Sequence, residues 1–147
     1  MRLTLFTDYA LRVLMYLGLK QDELATIREI AERYRISENH LMKVAHQLSK
    51  DGFVATVRGR QGGLMLARAP KDINIGDVVR RYEDDLRLVE CFDRRTNTCP
   101  IAGACSLTGI INDALAAFLK TLDRKTLADV LKTSPAIGPK LRLPEPT

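Results

Sequence analysis

Apolar residues recur every three or four positions over most of this chain and cluster into short strand-like runs at only one place. That pattern predicts a mainly α protein with one small β-hairpin. Leu11, Leu14, Met15 and Leu17 form a helical stripe in a first helix that Thr7 can cap and that runs to about Lys20. Thr26-Ile27-Arg28-Glu29 has the form of a capping box, so a second helix starts there and reaches about Tyr34, burying Ile30 and Ala31. Ser37 caps a third, in which Leu41, Val44 and Leu48 face inward until Gly52 supplies a left-handed stop. Two short helices joined by the tight link Arg35-Ile36 are a helix-turn-helix candidate.

Residues 53–57 and 64–67 read as two strands around the tip Arg58-Gly59-Arg60-Gln61-Gly62-Gly63, a glycine-rich hairpin with two arginines that would form a wing, and Pro70 ends it. A short helix over 75–83 turns Ile75, Val78, Val79 and Tyr82 inward. Residues 90–105 contain Thr, Asn, Pro and Gly and read as a loop. From Ser106 to about Leu122 a long helix carries Leu107, Ile110, Ile111, Ala114, Leu115, Phe118, Leu119 and Leu122, a stripe wide for a surface helix on a small domain. Packing against a second subunit explains it; burial against its own domain is the alternative. Thr126 can cap a last short helix over 127–132, and four prolines between Ser134 and Thr147 point to a flexible tail. The expected organisation is a winged helix-turn-helix DNA-binding domain over 1–83, a cysteine loop over 84–105, a dimerisation helix and short final helix over 106–133, and a tail over 134–147.

The chain's 147 residues, 46% of them hydrophobic, suffice for one real core. Its net charge of +5 is unevenly placed: residues 1–82 hold fourteen Lys or Arg against nine Asp or Glu, and residues 83–147 hold nine of each. The excess suits contact between the first part and a polyanion. Asp8 and Arg12 interrupt the apolar start and no small-residue cleavage site follows, so a secretion signal is not expected. No apolar run approaches the ~18 residues of a membrane span. The expectation is a soluble, cytoplasmic protein without membrane contact.

On the third helix, Ser37, Glu38, Asn39, His40, Lys43, Gln47 and Lys50 alternate with the apolar stripe. A recognition helix would lay such a face in the major groove, where Asn and Gln read adenine and Lys reaches guanine or phosphate. Arg58, Arg60 and Gln61 on the wing are placed for phosphates or a minor groove. His40 and His46 are six residues apart and do not share a face as an i, i+4 metal pair would; DNA contact for His40 and core-edge packing for His46 are the ordinary roles.

Three cysteines, Cys91, Cys99 and Cys105, are the only ones, and an odd number disfavours a disulfide scaffold. Their spacing, seven residues and then five, is wider than the paired knuckles of structural zinc sites, and no fourth cysteine or loop histidine completes a tetrahedral set. Three thiolates on a flexible loop can hold an iron–sulfur cluster and leave one iron for another ligand, with [4Fe-4S] preferred to [2Fe-2S]. Three unrelated packed thiols, or a transient disulfide with one thiol left over, are the other readings. No phosphate-cradling loop, nucleophile with a base partner or substrate-pocket signature points to an enzyme.

Four stretches in this order resemble the NsrR repressors, nitric-oxide-sensing members of the winged-helix superfamily that also contains IscR. They are Leu3-Thr4-Leu5-Phe6-Thr7-Asp8-Tyr9-Ala10-Leu11-Arg12, Ile36-Ser37-Glu38-Asn39-His40-Leu41-Met42-Lys43, Val57-Arg58-Gly59-Arg60-Gln61-Gly62-Gly63-Leu64, and the three cysteines followed by Thr126-Leu127-Ala128-Asp129. The resemblance implies a homodimer on an inverted-repeat operator, released by nitric oxide, with a cluster on Cys91, Cys99 and Cys105. It also implies a remaining ligand from Asp8 of the partner subunit, which Arg12 one turn on can orient. Asp8 can equally serve only the helix dipole and pair with Arg12. IscR-like relatives carry a histidine just beyond the third cysteine, whereas Ser106, Leu107 and Thr108 follow Cys105 here. An IscR-like regulator of iron–sulfur assembly or redox state, a small iron–sulfur electron carrier and a cluster-free thiol switch are the alternatives.

Overall fold

A computed structural model describes residues 2–144. Helix α1 (Leu5–Lys20) lies at the centre, with α3 (Glu38–Lys50), α4 (Ile75–Tyr82) and α6 (Leu127–Thr133) packed on it. Its buried face, Ala10, Val13, Leu14, Tyr16 and Leu17, is the spine of one core, completed by Ile30, Leu41, Val44, Leu48, Phe53, Ile73, Val78, Tyr82 and Leu127. The helix begins earlier than expected. Thr4, in an extended conformation, is the cap and its Oγ1 accepts from the Thr7 amide at 3.3 Å, while Thr7 is buried inside the first turn. Phe6 decides the start, because a helical turn here packs its ring 5.3 Å from that of Tyr82.

Helix α2 (Ile27–Tyr34) is capped by the Thr26 side chain as expected, but the Glu29 carboxylate is drawn inward to Tyr16 Oη at 2.7 Å and Lys20 Nζ at 3.1 Å. The link to α3 turns at Arg35 in the left-handed region, φ 56°, which costs a non-glycine residue about 1–2 kcal/mol. Ile36 offsets it by packing on the core, its amide donating to Ala31 O at 2.9 Å. Ser37 occupies the cap position of α3 without a side-chain cap bond, and Gly52, φ 78°, ends the turn beyond it.

Strands β1 (Val54–Val57) and β2 (Gly63–Leu66) pair antiparallel, Val54 opposite Leu66 and Val57 opposite Gly63. At the tip a Cβ on Gly62 would collide with the Val57 carbonyl, so the tight turn requires glycine there. Ala25 adds a further backbone bridge to Leu64, with bonds of 2.9 and 2.7 Å, which moors the hairpin to the link between α1 and α2. Inward residues of α4 are those expected, Ile75, Val78, Val79 and Tyr82.

Helix α5 (Ser106–Asp123) buries no residue in this chain; Leu107 is 55% and Ile110 63% exposed. Its C-terminal end is fastened by Asp123, whose carboxylate accepts from both terminal guanidinium nitrogens of Arg80 and whose carbonyl accepts from Asn74 Nδ2 at 2.6 Å. Thr126 and Asp129 form a full capping box for α6. The expected flexible tail is instead folded as far as Pro144: α7 (Ile137–Lys140) forms a helical turn, and Leu141 and Leu143 pack against the core. Their apolar side chains outweigh the neighbouring prolines, and residues 145–147 lie outside the described part. No helix among the described residues is long and apolar enough to cross a membrane.

Candidate DNA interface and cysteine segment

The outward face of α3 carries Ser37, Asn39, His40, Lys43, His46 and Lys50 exposed. Among the described residues, none of the side chains of Asn39, Lys43, Arg58, Arg60 or Gln61 is engaged in a hydrogen bond or ion pair, so their donors and acceptors face solvent. His40 is exposed, with its ring centroid 6.3 Å from that of Tyr9. His46 is exposed rather than packed at the core edge, because it lies one position past the buried pair Val44 and Ala45. Gln47 departs from a simple reading role: it is half-buried and donates to Asp51 Oδ2 at 3.0 Å. Met42, 52% exposed beside Lys43, is a member of this surface that the polar pattern passes over; a methionine off the apolar stripe is its only sequence signal.

Wing residues Arg58, Arg60 and Gln61 are all exposed at the hairpin tip. Ser49 and Thr56 hydroxyls meet at 3.3 Å, joining the end of α3 to β1. Helix and wing are therefore held as one body, with the excess positive charge of the first 82 residues able to act on one ligand.

The cysteine segment is organised by its own polar groups. Glu90 Oε1 accepts from both the amide and hydroxyl of Thr98 at 2.6 Å, so the residues preceding Cys91 and Cys99 are clasped together. Arg87 spans Asp85 and Asp93, and Asp93 also accepts from the Arg95 amide at 3.0 Å. These bonds hold all three carboxyls below their usual range: the Thr98 hydroxyl for Glu90, Arg87 for Asp85, and the Arg95 amide for Asp93. A 3₁₀ turn, Glu90–Phe92, carries Cys91, whose Sγ lies 3.2 Å from Thr108 Oγ1. Cys105 caps α5 through its backbone alone.

All three cysteines are free and half-buried. The donor chemistry fits an iron–sulfur cluster: the three thiols are half-buried soft ligands, while the carboxylates of Asp85, Glu90 and Asp93 are already engaged by the loop's own donors. Among the described residues no three His, Cys, Asp or Glu side chains come together to hold a metal. Asp8 stands in the first turn of α1 and takes a two-point bond from Arg12, Nη2 to Oδ2 at 2.7 Å and Nε to Oδ1 at 3.2 Å. Arg12 is fixed in turn against the rings of Tyr9 and Tyr34, at 5.7 and 5.8 Å. Dipole complement and orienting pair are thus both present in the same geometry.

Two helices joined by a tight turn and followed by a basic two-stranded hairpin on a shared core define a winged-helix DNA-binding protein. Residues 3–133 match the Rrf2 family, described as iron-dependent transcriptional regulators, and the chain belongs to that family. It is 49% identical over 146 residues to the HTH-type transcriptional regulator NsrR of Bacillus subtilis (strain 168), covering 99% of this chain and 100% of that one. It is 53% identical over 133 residues to the regulator of the same name from Oceanobacillus iheyensis, covering 90% of each. Among solved structures, T. potens IscR matches with a TM-score of 0.73 at 30% identity, over 91% of this chain and 88% of that one. CymR, the global cysteine regulator of B. subtilis, shares the fold with a TM-score of 0.74 at 22% identity, over 90% and 98% of the two chains.

Proposed function

We propose that this transcriptional regulator is a cytoplasmic, homodimeric repressor that binds an inverted-repeat operator and releases it in response to nitric oxide, so that genes for nitric oxide detoxification are expressed. The observation that carries the reading is the set of three free, half-buried thiols on the segment leading from the DNA-reading domain into the uncovered helix α5. Similarity to proteins named NsrR supports the choice of signal over an IscR-like one.

Cys91, Cys99 and Cys105 would hold an iron–sulfur cluster, [4Fe-4S] in preference to [2Fe-2S], with Asp8 of the partner subunit as the remaining ligand. When bound, the cluster supplies iron with an affinity for nitric oxide. This chain's residues do the rest. Arg12 aims the Asp8 carboxylate, and Thr108 can donate a hydrogen bond to the Cys91 sulfur. A carboxylate from α1 of one protomer and thiolates from the other would tie each reading head to its partner's loop. The tie sets two recognition helices about one DNA turn apart, ~34 Å, to match a palindrome. Asn39, His40 and Lys43 then meet base edges, with Ser37, Arg58, Arg60 and Gln61 on the backbone, while Gln47, bonded to Asp51, supports the helix end.

An anaerobic gel-shift titration tests the switch: protein loaded with the cluster is expected to bind the operator, and nitric oxide to abolish the shift. Equal binding before and after the gas would remove nitric oxide as the signal. Replacing Cys99 with Ala is expected to abolish the visible absorbance of the anaerobic protein while leaving its helix content intact; unchanged absorbance would take Cys99 out of the ligand set.

A further inference from the structure

We propose that Asp51 is a positioning residue for the DNA-reading surface, and that the end of α4, Arg81-Tyr82-Glu83, is the joint through which the cysteine segment acts on the recognition helix and α1 together. The second half of this statement rests on the cluster-dependent DNA binding proposed above; the first does not.

Asp51 follows the last residue of α3, and its side chain is only 8% exposed. Its carboxylate accepts from Arg81 Nη2 at 2.5 Å, Tyr82 Oη at 3.0 Å and Gln47 Nε2 at 3.0 Å. Three donors from two helices thus converge on one buried anion, and the Arg81 guanidinium holds its carboxyl far below the usual range. The backbone of the same turn is gripped from the wing side. Arg68, just past β2, donates to the carbonyls of Asp51 and Gly52 at 3.1 and 3.0 Å and lies over the Phe53 ring at 4.5 Å.

One residue beyond Tyr82, the buried Glu83 accepts from the amide and hydroxyl of Thr4 at 2.7 and 3.1 Å. Thr4 is the cap of α1, the helix that carries Asp8 in its first turn. The Tyr82 ring, packed near Phe6 at 5.3 Å and Phe53 at 6.4 Å, fills the space between the two attachments. The last two residues of α4 and the Glu83 that follows therefore hold the end of the recognition helix and the start of the helix bearing the proposed remaining ligand, and at Asp84 the chain enters the cysteine segment. A rotation of this last turn cannot be absorbed by one side chain. It moves Asp51, and with it Gln47, while pulling on Thr4.

Base readout needs the recognition helix and wing in fixed mutual orientation, whereas phosphate contact tolerates small misplacement. Asp51→Asn replaces an acceptor oxygen by a donor facing other donors, so it should loosen orientation without unfolding the core. Tyr82→Phe removes one bond and keeps the ring.

The experiment uses full-length protein, cluster-loaded and cluster-free, with a duplex selected from a randomised pool by the wild type and a scrambled duplex of equal composition. The expected result for Asp51→Asn is an operator affinity lower by about tenfold with scrambled-duplex affinity within about twofold, the size of one lost base-pair discrimination. Tyr82→Phe should shift the same ratio in the same direction by less, and in both variants the loaded-to-free affinity ratio should move toward one. Helix content and visible absorbance should stay at wild-type levels. Equal losses on both duplexes, or no loss on either, would overturn the positioning role; should Asp51→Asn not fold, Tyr82→Phe alone decides it. A loaded-to-free ratio unchanged in the variants would overturn the joint. If the wild type itself shows no difference between loaded and free protein, the cluster-dependent reading fails and takes the joint with it, while the operator-to-scrambled ratio still decides Asp51.

Discussion

The DNA-reading domain and the segment that follows it are built on different principles. Between Thr7 and Glu83 every α-helix buries part of one face, and α1 is buried along nearly its whole inner side. Between Asp84 and Thr126 no residue is buried, although α5 is the longest helix described and one of the most apolar. The first region makes its shape from its own contacts. The second has local order, through the Glu90–Thr98 clasp and the Arg87 bridges, but little apolar burial to stabilise it. A segment of that kind takes its conformation from what it binds, and a second subunit and a metal centre are the partners proposed above.

The sharpest way to break this contrast is a cavity in the first region. Leu17→Ala, at a fully buried position on α1, should cost about 2–5 kcal/mol in denaturant unfolding, as large-to-small core changes do. Leu107→Ala, 55% exposed in one chain, should cost under about 0.5 kcal/mol in a protein dilute enough to be monomeric. Similar losses for the two would show that α5 has a core of its own.

Next in size is the effect on assembly. Ile110→Glu places a charge on the exposed apolar side of α5 and should yield a folded monomer in sedimentation. Operator binding should then weaken about a hundredfold, because two half-sites no longer engage together. A dimer that persists would move the interface away from α5.

The same contrast explains what the sequence made legible. The periodicity of α4 identified all four of its apolar inward residues, and Thr126 marked the start of α6, because these features depend on neighbours within one or two turns. Thr7 was a misleading cap, since Thr4 three residues earlier is an equally good candidate and only the distant Tyr82 ring settles the choice through Phe6. The Ala25–Leu64 bridge and the Asp51–Arg81–Tyr82 cluster join residues about thirty or more positions apart and carry no local signal. Gln47 was read from its place on a polar face, but its amide is turned to Asp51. The three cysteines marked the candidate site by residue type, but residue type carries no information on their mutual placement, and among the described residues they do not come together.

The smallest expected effect separates the two kinds of contact within the reading head. Arg60 stands exposed at the wing tip, where a guanidinium reaches phosphate oxygens regardless of the bases beside them. Arg60→Ala should weaken operator and scrambled duplex alike, by a few-fold at physiological salt, and should reduce the slope of log affinity against log salt by about 0.9, the contribution of one neutralised phosphate. Lys43→Ala, on the recognition helix, should act differently if its ammonium meets a base edge: the operator loses affinity, the scrambled duplex much less, and base preference relaxes at one position. Measuring both slopes by fluorescence anisotropy over a salt series decides the assignment. An unchanged slope for Arg60→Ala would take the wing tip off the DNA backbone, and a uniform loss for Lys43→Ala would move that residue from base readout to phosphate contact.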